Sequence, residues 1–458
     1  MRIYGVMLLL ATCAWSQNVS SSISGTIVDQ TGAALAGAII QVVDAGNGFE
    51  RSGVSNEQGF FNFPDLRTGS FTLSVNTPGF KKYQQRGIEI VTGEQRSMGQ
   101  IRLQVGETSE SVTVTAEASR VELGSSEKAG TLTGTQLNEM ALKGRDFFDA
   151  VGLMAGVVDV SENRDAPGAD SVGGLHIAGG RSASKNVTID GVTSLDTGSN
   201  GAMHTTPGMD SIGEVRVLMS NYAAEYGRNS GGSVTVITRG GGKQYRGSVA
   251  AFHRHESYSA NEYFNNRNGI ARPPYRYNIG SYAIGGPVYI PGKFNTSKSK
   301  LFFFWNQELQ RQKFPSGAAR TVRVPTAMER EGDFSQTFDA GNNPIRVFDP
   351  RAATPTTRVQ FPGNIVPADR ISQKGRNVLN LFPLPNFVEP IVARRNQWNY
   401  ISNLSGNFRR HSETARLDYA VKKNMQTYLR LSNSFEDQAP QYGLWVNGSI
   451  NFPLTAIT

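Results

Sequence analysis

Few positions in this sequence have the side chains and intervals of a catalytic or metal-binding site, and the histidines come first among them. His253 and Glu256 form one His-x-x-Glu pair with His255 between them, a spacing that zinc sites use, and His411 is the candidate third ligand. The segment around His253 alternates like a strand, and no general base or substrate-binding arginine stands in a recognisable setting. We therefore predict ordinary strand residues here, with no metal site and no catalytic residue.

Composition narrows the class of protein. The 458 residues include 50 glycines, with 38% hydrophobic and 18% charged residues, a mix that suits many short strands joined by turns. It argues against helical bundles, coiled coils and collagen, and the recurring apolar segments argue against intrinsic disorder. The net charge of +8 is dispersed along the chain, so no nucleic-acid partner is expected. The single cysteine, Cys13, leaves no disulfide or cysteine-ligated metal in the mature chain that we predict.

The N-terminus predicts export. Residues 1–16 combine the positive charge of Arg2, an apolar core from Val6 to Ala14, and small residues at the two positions that a signal peptidase reads. We interpret them as a secretory signal peptide; a lipoprotein signal at Cys13 and a buried N-terminal strand are the alternatives. No later stretch approaches the ~18–20 apolar residues of a membrane helix, so a membrane-embedded form would have to be a barrel.

Residues 17–106 predict an antiparallel β-sandwich, because short strand-like segments recur about every ten residues. The aromatic and aliphatic residues expected to point inward include Phe61, Phe63, Phe71, Leu73 and Val75. The segment resembles the carboxypeptidase regulatory-like domain. The residues that carry the resemblance are Gly25, Asp29, Gly32, Gly37, Asn56, Gly59, Phe60, Phe63, Leu66, Gly69, Phe71, Leu73, Gly79 and Phe80. The resemblance implies a fold and says almost nothing about function.

Residues 107–118 predict a docking strand. Val112, Thr113, Val114 and Thr115 have strong β propensity within polar surroundings, and an exposed strand of this kind can add to another protein's sheet edge. The alternatives are the last strand of the sandwich or a linker. The run from Glu110 to Ala116 resembles the TonB box of outer-membrane receptors. That resemblance implies pairing with a TonB-like energy-transducing protein in the periplasm.

Residues 119–242 are rich in glycine and predict a mixed α+β domain. The expected elements are a helix over 131–148, a second short helix over 147–154, and strands around 175–177, 187–189, 215–217 and 234–237.

Four motifs in this segment resemble, in order, those of the plug domain of TonB-dependent receptors. They are GGLHIAGGR at 173–181, VTIDGV at 187–192, SIGEVRVL at 211–218 and EYGRNSGGSVTVITRGG at 225–241. The residues that the resemblance marks are Gly179, Gly180, Arg181, Asp190, Gly191, Glu214, Tyr226, Gly227, Gly231 and Gly232. Arg181 follows its glycines, whereas the family places arginine before them, and Gly213 replaces an apolar residue. We expect most of the glycines in turns, and Asp190 and Glu214 as structural hydrogen-bond partners.

Residues 243–458 predict the first part of an outer-membrane β-barrel. The segment 301–305 is strongly aromatic, and 413–420 with 426–431 reads as an apolar-out, polar-in hairpin. Residues 315–390 hold 10 of the 20 prolines, which predicts a long external loop rather than central strands. The segments 277–292 and 300–312 resemble the first barrel strands of Oar-like TonB-dependent transporters, a subfamily that also carries an N-terminal sandwich.

Together these features predict a mainly β protein. Its expected parts are a signal peptide at 1–16, a β-sandwich at 17–106, a TonB-box-like linker at 107–118, an α+β plug at 119–242, and an incomplete transmembrane antiparallel barrel at 243–458. A barrel in lipid must close, so the sequence is expected to be the N-terminal part of a longer protein. A natural fragment or an oligomer that shares a barrel is the alternative.

The resemblance implies active transport across a Gram-negative outer membrane, with a plug that gates the barrel. The expected partners are a TonB-like protein, outer-membrane lipid and an unidentified substrate, without a cofactor or enzymatic activity. A secreted or surface-attached β-rich adhesin is the alternative function, and a zinc peptidase is a third.

Overall fold

The computed structural model describes thirteen stretches of the chain, and their residues fall into two compact units. The described residues are 21–107, 111–115, 126–161, 164, 172–227, 229–267, 269–315, 320–352, 354, 356–389, 391–402, 405–422 and 425–439. The first unit takes in Met1–Ala251, Ile279–Leu309 and Arg410–Glu436, and the second Phe252–Asn278, Gln310–Arg409 and Asp437–Thr458. Within the described stretches, no helix has the length and apolar character needed to cross a membrane.

The N-terminal part of the first unit is a β-sandwich, as predicted. Its strands are β1 (Ser21–Val28), β2 (Ile39–Asp44), β3 (Glu50–Val54), β4 (Phe60–Leu66), β5 (Gly69–Asn76), β6 (Lys82–Ile90), β7 (Gln95–Arg102) and β8 (Ser111–Thr115). One sheet has the order β4-β1-β7 and the other β3-β2-β5-β6-β8. Most neighbours are antiparallel, as expected, but β1 pairs with β7 and β6 pairs with β8 in parallel, so the sandwich is not antiparallel throughout.

The sandwich core comes from the inward side chains of both sheets. Phe71, Leu73 and Val75 on β5 and Phe61 and Phe63 on β4 are all buried in one cluster, as their alternation predicts. Fully burying a side chain of this kind stabilises a fold by about 1.5–3 kcal/mol, so this core holds the domain together.

The next part, which we call the central domain, is built around a five-stranded mixed sheet. Its elements are β9 (Lys128–Thr133), α1 (Gly134–Glu139), α2 (Phe147–Val151), β10 (Val157–Asp159), β11 (Leu175–Ile177), β12 (Asn186–Ile189), β13 (Val192–Thr193), β14 (Ile212–Ser220) and β15 (Ser233–Thr238). The sheet order is β13-β12-β15-β14-β9, and β10 pairs separately with β11. β12 and β15 are parallel, while β14 is antiparallel to both of its neighbours.

The helix predicted over 131–148 is wrong for most of its length. Thr131 and Leu132 belong to β9, which pairs with β14, because a sheet edge can pair the backbone of residues that also fit a helical pattern. Thr133 then caps α1 in a reciprocal capping box with Gln136, and the backbone is extended again at Met140. The second predicted helix is present as α2.

The third part, which we call the C-terminal sheet, has five strands in the order β16-β17-β18-β21-β22. They are β16 (Arg246–His255), β17 (Arg276–Pro287), β18 (Leu301–Pro315), β21 (Ser405–Lys422) and β22 (Met425–Ala439). The ends of these strands that lie outside 246–251, 279–309 and 410–436 count with the second unit.

From Arg410 to Tyr419 on β21, polar residues are buried and apolar residues are exposed, which confirms the alternation predicted for the hairpin. The buried face of the sheet also carries apolar side chains, among them Ile279, Phe302 and Phe304. On β21, Arg410, Ser412 and Thr414 are buried, whereas Leu417 and Tyr419 are exposed. The same alternation runs along the neighbouring strands. Further buried polar residues are Asn306, Glu308, Gln310 and Gln312, and further exposed apolar residues are Tyr282, Ile284, Leu309, Leu429, Leu431 and Phe435. Apolar-out alternation is the pattern of strands that face lipid.

The second unit contains the proline-rich excursion between β18 and β21. Strands β19 (Arg320–Val322) and β20 (Tyr400–Ser402) pair antiparallel at its two ends. Between them lie α4 (Ala327–Arg330) and α5 (Gln373–Asn380), and α3 (Tyr263–Arg267) precedes β17. The predicted loop therefore has short helices and its own buried residues, including Val324 and Phe361.

Candidate functional site

The TonB-box-like residues are only partly described, and those that are described belong to the sandwich. Strand β8 pairs in parallel with β6, from Lys82 opposite Ser111 to Arg86 opposite Thr115. The expectation of an unpaired strand is therefore wrong for residues 111–115, since one edge of β8 is hydrogen-bonded. β8 is the last strand of its sheet, so its other edge carries no neighbour among the described strands. Glu110 and Ala116 lie outside the described residues.

The glycines of the first and last plug-like motifs meet each other. A β-carbon on Gly180 would lie 2.7 Å from the Cα of Gly231, and one on Gly232 would lie 2.4 Å from the Ile177 side chain. Gly232 also has a φ of +111°, which residues with a β-carbon rarely adopt. These glycines allow two backbone segments of the central domain to pack directly against each other.

Four other marked residues form turns of the central domain. Gly179 has a φ of +75° in the turn after β11, and Arg181 starts the following turn with its carbonyl accepting from Ser184. Tyr226 and Gly227 form the turn before β15, where the Tyr226 ring packs edge-on to Tyr222 at 6.5 Å.

Asp190 is the centre of a buried polar cluster. It lies at the Asp190–Gly191 turn after β12 with a φ of +46°, and its carboxylate accepts from the Thr238 amide at 2.8 Å and the Thr238 hydroxyl at 2.5 Å. Arg416 and Arg430 of the C-terminal sheet approach the same carboxylate at 3.8 and 3.2 Å. The turn therefore joins two strands of the central domain to β21 and β22.

The cluster continues across the C-terminal sheet. Arg416 also pairs with Asp418 at 3.2 Å and donates to the Thr238 carbonyl at 3.1 Å. Its guanidinium lies 4.6 Å from the centre of the Tyr428 ring, and the Tyr428 hydroxyl donates to the Asp190 carbonyl at 3.3 Å. We call Asp190, Thr238, Arg416, Asp418, Tyr428 and Arg430 the Asp190 cluster. Buried charges in such a network are costly unless all are paired, so its geometry is strongly specified.

Glu214 forms a second junction, this time with the sandwich. Its carboxylate accepts from the Thr92 amide at 2.9 Å, and the side chain of the neighbouring Arg216 donates to the Thr92 carbonyl. Arg216 also pairs with Glu127, which immediately precedes β9. We call Thr92, Glu127, Glu214 and Arg216 the Glu214 junction.

A third contact, between the central domain and the C-terminal sheet, could not be predicted from the sequence because its residues belong to no recognised motif. The backbone amide of Met209 in the central domain donates to Glu308 of β18 at 3.3 Å. A β-carbon on the adjacent Gly208 would lie 2.7 Å from the Asn306 side-chain oxygen, so any other residue here would require the Asn306 side chain to shift. Arg410 of β21 lies 3.8 Å from Glu308. The polar face of the C-terminal sheet is thus in direct contact with the central domain at two places.

A cluster of acids around Arg164 was also not predicted. Arg164 pairs with Asp146 at 3.3 Å and with Asp149 at 3.7 Å, and it also hydrogen-bonds Asp159. Burial, and then the Asp146 charge, raise the pKa of Asp149 to about 6. Burial lowers the pKa of Lys185, which donates to the Ser182 carbonyl at 2.5 Å, to about 8. Spacing in the sequence gives no signal for these pairings.

The candidate zinc residues have other partners. His253 contacts the Asn278 side chain at 2.6 Å, His255 contacts the Ser257 hydroxyl at 2.9 Å, and His411 stacks on Phe435 with ring centres 5.3 Å apart. Over the described residues, no group of three or more His, Cys, Asp or Glu side chains is placed to hold a metal ion.

The second unit contains a cavity of about 320 Å³ within the proline-rich excursion. Its lining consists of Arg323, Val324, Pro325, Glu329, Phe334 and Leu379. Arg323 and Glu329 form an ion pair at 2.9 Å, and Glu329 also accepts from the Thr337 hydroxyl at 2.6 Å. These bonds lower the pKa of Glu329 against the effect of its burial.

Two family models match the chain. A carboxypeptidase regulatory-like domain matches residues 22–115, which are the sandwich with β8 included. An outer membrane beta barrel domain matches residues 237–456, from the end of β15 onward. Both matches agree with the resemblances found in the sequence.

Individual known proteins are also similar to parts of this chain. The TonB-dependent transporter Oar of Myxococcus xanthus is 25% identical over 305 residues, which are 65% of this chain and 27% of that protein. The chain therefore spans well under half the length of that curated relative. The siderophore receptor PirA of Acinetobacter baumannii is 14% identical with a TM-score of 0.36, over 68% of this chain and 32% of PirA. The outer membrane transporter YddB of Escherichia coli is 9% identical with a TM-score of 0.39, over 68% of this chain and 33% of YddB.

The two TM-scores lie below 0.5, so these structures do not establish a shared overall fold. The matched domains and the relative do agree with each other: an outer membrane beta barrel domain, a carboxypeptidase regulatory-like domain and a TonB-dependent transporter. The chain is thus a mainly β protein of the outer membrane, and it is a homologue of the TonB-dependent transporter Oar.

Proposed function

We propose that this chain is part of an active outer-membrane transporter in which the central domain is a plug that gates a β-barrel. The observation that carries the proposal is the Asp190 cluster. It places a turn of the central domain against the buried polar face of strands whose opposite face is apolar and exposed. A domain that occupies the lumen of a barrel would make contacts of this kind, because lumen-facing residues alternate with lipid-facing ones.

Gating requires contacts that can be broken and made again. The Asp190 cluster and the Met209–Glu308 contact are polar rather than apolar, and water can replace the partners of polar groups when a path opens. We infer that substrate passes between the central domain and the C-terminal strands once such contacts are released. The substrate itself is not identified, and siderophores, oligosaccharides, peptides and exported proteins are all compatible with the contacts described.

The energy for release would come from a TonB-like protein that pairs with residues 110–116. Strand β8 supports this proposal because no described strand lies beside its outer edge, and a partner strand can add there. Pairing of this kind uses backbone hydrogen bonds, so it needs strand-forming residues rather than particular side chains. Val112 and Thr113 have that character.

The test of the docking strand is deletion of residues 110–116 in the full-length protein. We expect at least a tenfold loss of binding to the purified periplasmic domain of the host's TonB-like protein, measured by surface-immobilised titration, with unchanged recovery in the outer membrane. A second variant replaces residues 110–116 by seven glycine and serine residues. This change keeps the length but lowers β propensity, so the variant should lose binding as well. Full binding by both variants would show that this segment is not the docking strand.

A further inference from the structure

The N-terminal sandwich contacts both other parts of the first unit, and the contacts come from one end of the sandwich. The start of β5 lies between the ends of β2 and β6, because Phe71 pairs with Asp44 and Gly69 pairs with Ile90. The turns that follow β2, β4 and β6 are therefore neighbours in space. Each of these three turns supplies one contact.

The turn after β6 binds the central domain through the Glu214 junction. Thr92 is 1% exposed, and both of its backbone polar groups have partners on β14: the amide binds Glu214 and the carbonyl binds Arg216. The Glu94 amide donates to the Val91 carbonyl at 3.1 Å and Gly93 has a φ of +69°, as in a type II turn. The turn therefore places the Thr92 backbone between the Glu214 carboxylate and the Arg216 guanidinium.

The other two turns bind the C-terminal sheet and the connection that leads into it. Arg67, in the turn after β4, pairs with Asp418 at 2.5 Å, and its guanidinium lies 5.5 Å from the Tyr428 ring centre. Both Asp418 and Tyr428 belong to the Asp190 cluster. Gly46, in the turn after β2, accepts from the Lys243 amide at 3.1 Å, and Lys243 lies between β15 and β16.

These contacts point to a role for the sandwich. We propose that it is an intramolecular lock, which ties the central domain to the C-terminal sheet and whose release loosens strands β9 and β14. The Glu214 junction holds β14, and through Glu127 it also holds the chain just before β9, the edge strand of that sheet. Arg67 adds a third guanidinium to the Asp190 cluster, so the same domain also supports the contact between the other two parts.

The lock can be opened from the sandwich side with two substitutions. Thr92→Pro removes the amide hydrogen that binds Glu214, together with the Thr92 hydroxyl, and it keeps the carbonyl that binds Arg216. Proline suits this turn position, so the turn itself should persist. Arg67→Gln removes the charge that pairs with Asp418. Arg86→Gln is the matched control, because Arg86 is exposed on β6 and its side chain, within the part of the chain that the structure describes, hydrogen-bonds only Gln84 of the same strand.

The measurement is hydrogen exchange of the purified full chain in detergent. We expect the Thr92→Pro/Arg67→Gln variant to exchange its β9 and β14 amides at least tenfold faster than the wild type, with β5 unchanged. The Arg86→Gln variant should match the wild type. Unchanged exchange in β9 and β14, or equal acceleration in β5, would overturn the lock.

A disulfide distinguishes release of the sandwich from local damage. Gly46→Cys and Lys243→Cys place thiols on two backbones that already share a hydrogen bond, within reach of a disulfide. With Cys13→Ser as background, the oxidised pair should return exchange of the open variant to within about twofold of the wild type, since a tether restores proximity.

The control disulfide, Ile39→Cys with Val54→Cys, links two exposed residues that face each other on β2 and β3 within the sandwich. It should leave the hydrogen exchange of β9 and β14 fast in the Thr92→Pro/Arg67→Gln variant. Rescue by both disulfides alike, or by neither, would overturn the proposal. The experiment needs no cargo and no TonB-like partner, so its failure would leave the transport proposal standing, and the reverse also holds.

Discussion

At the scale of single residues, Asp190 shows how a motif residue acquires its role. Its carboxylate has two hydrogen bonds from Thr238 and two arginine neighbours from another sheet. Removing one partner of a buried charge network leaves the remaining charges unpaired, which costs more than the network itself contributes. Asp190 is therefore important because its negative charge neutralises the buried charges of Arg416 and Arg430.

Asp190→Asn tests this account. The amide keeps the size of the side chain but loses the negative charge, so Arg416 and Arg430 lose their shared counter-charge. We expect a loss of about 3 kcal/mol in the free energy of unfolding of the central domain, measured by urea titration in detergent. Asp369→Asn, at an exposed aspartate, should change it by less than about 0.5 kcal/mol. Equal effects of the two substitutions would contradict the account.

The acids around Arg164 predict a dependence on pH. The pKa of Asp149 is raised to about 6 in the folded chain, so the fold binds a proton there that the unfolded chain has already released. Stability from this group is therefore present below about pH 4 and is lost as the pH rises through about 6. Asp149→Asn should flatten the stability of the central domain between pH 4 and 6.5, measured by thermal unfolding at several pH values. Asp149 is half-buried, so the change stays below about 1 kcal/mol. If the stability of the variant changes with pH as steeply as that of the wild type, the pH dependence comes from another group.

At the scale of elements, the C-terminal strands obey a two-residue period that can be tested on β22. Leu431, in the middle of the strand, and Met425, at its start, are exposed on the same face by 65% and 53%. Arginine facing lipid costs about 2–4 kcal/mol in the middle of the bilayer and about 0–1 near its surface. Leu431→Arg should therefore lower the amount of protein recovered in the outer membrane, and Met425→Arg should not. Equal recovery of both variants would mean that this face does not contact lipid.

The elements also show where local patterns mislead. Residues 128–133 form β9 rather than the start of a helix, because β14 offers its edge to them. Likewise, the segment 111–115 has the composition of a free strand, yet it pairs with β6. In both cases a neighbouring strand that is distant in sequence decided the outcome, and local propensity was too weak to oppose it.

At the scale of the whole molecule, three parts share contacts that no single part explains. The sandwich, the central domain and the C-terminal sheet meet around Asp190 and Glu214, within the residues described for the first unit. The relative Oar is matched over 27% of its length, so transport by the complete protein stays a proposal. The sandwich acquires a specific role in that proposal, as the lock between the other two parts.

The N-terminal β-sandwich, the strands with clear alternation and the resemblance to Oar-like TonB-dependent transporters could be predicted from the sequence alone. Periodicity and turn residues are local features of the chain, so they can be read from neighbouring residues, as can the motifs around Asp190 and Gly231. Which polar groups meet could be seen only in three dimensions: Asp190 with Arg416, Glu214 with the Thr92 amide, and Arg164 with three aspartates. These pairs are separated by up to a few hundred residues, and the strength of a charge interaction depends on distance and burial in space. No spacing along the chain contains that information.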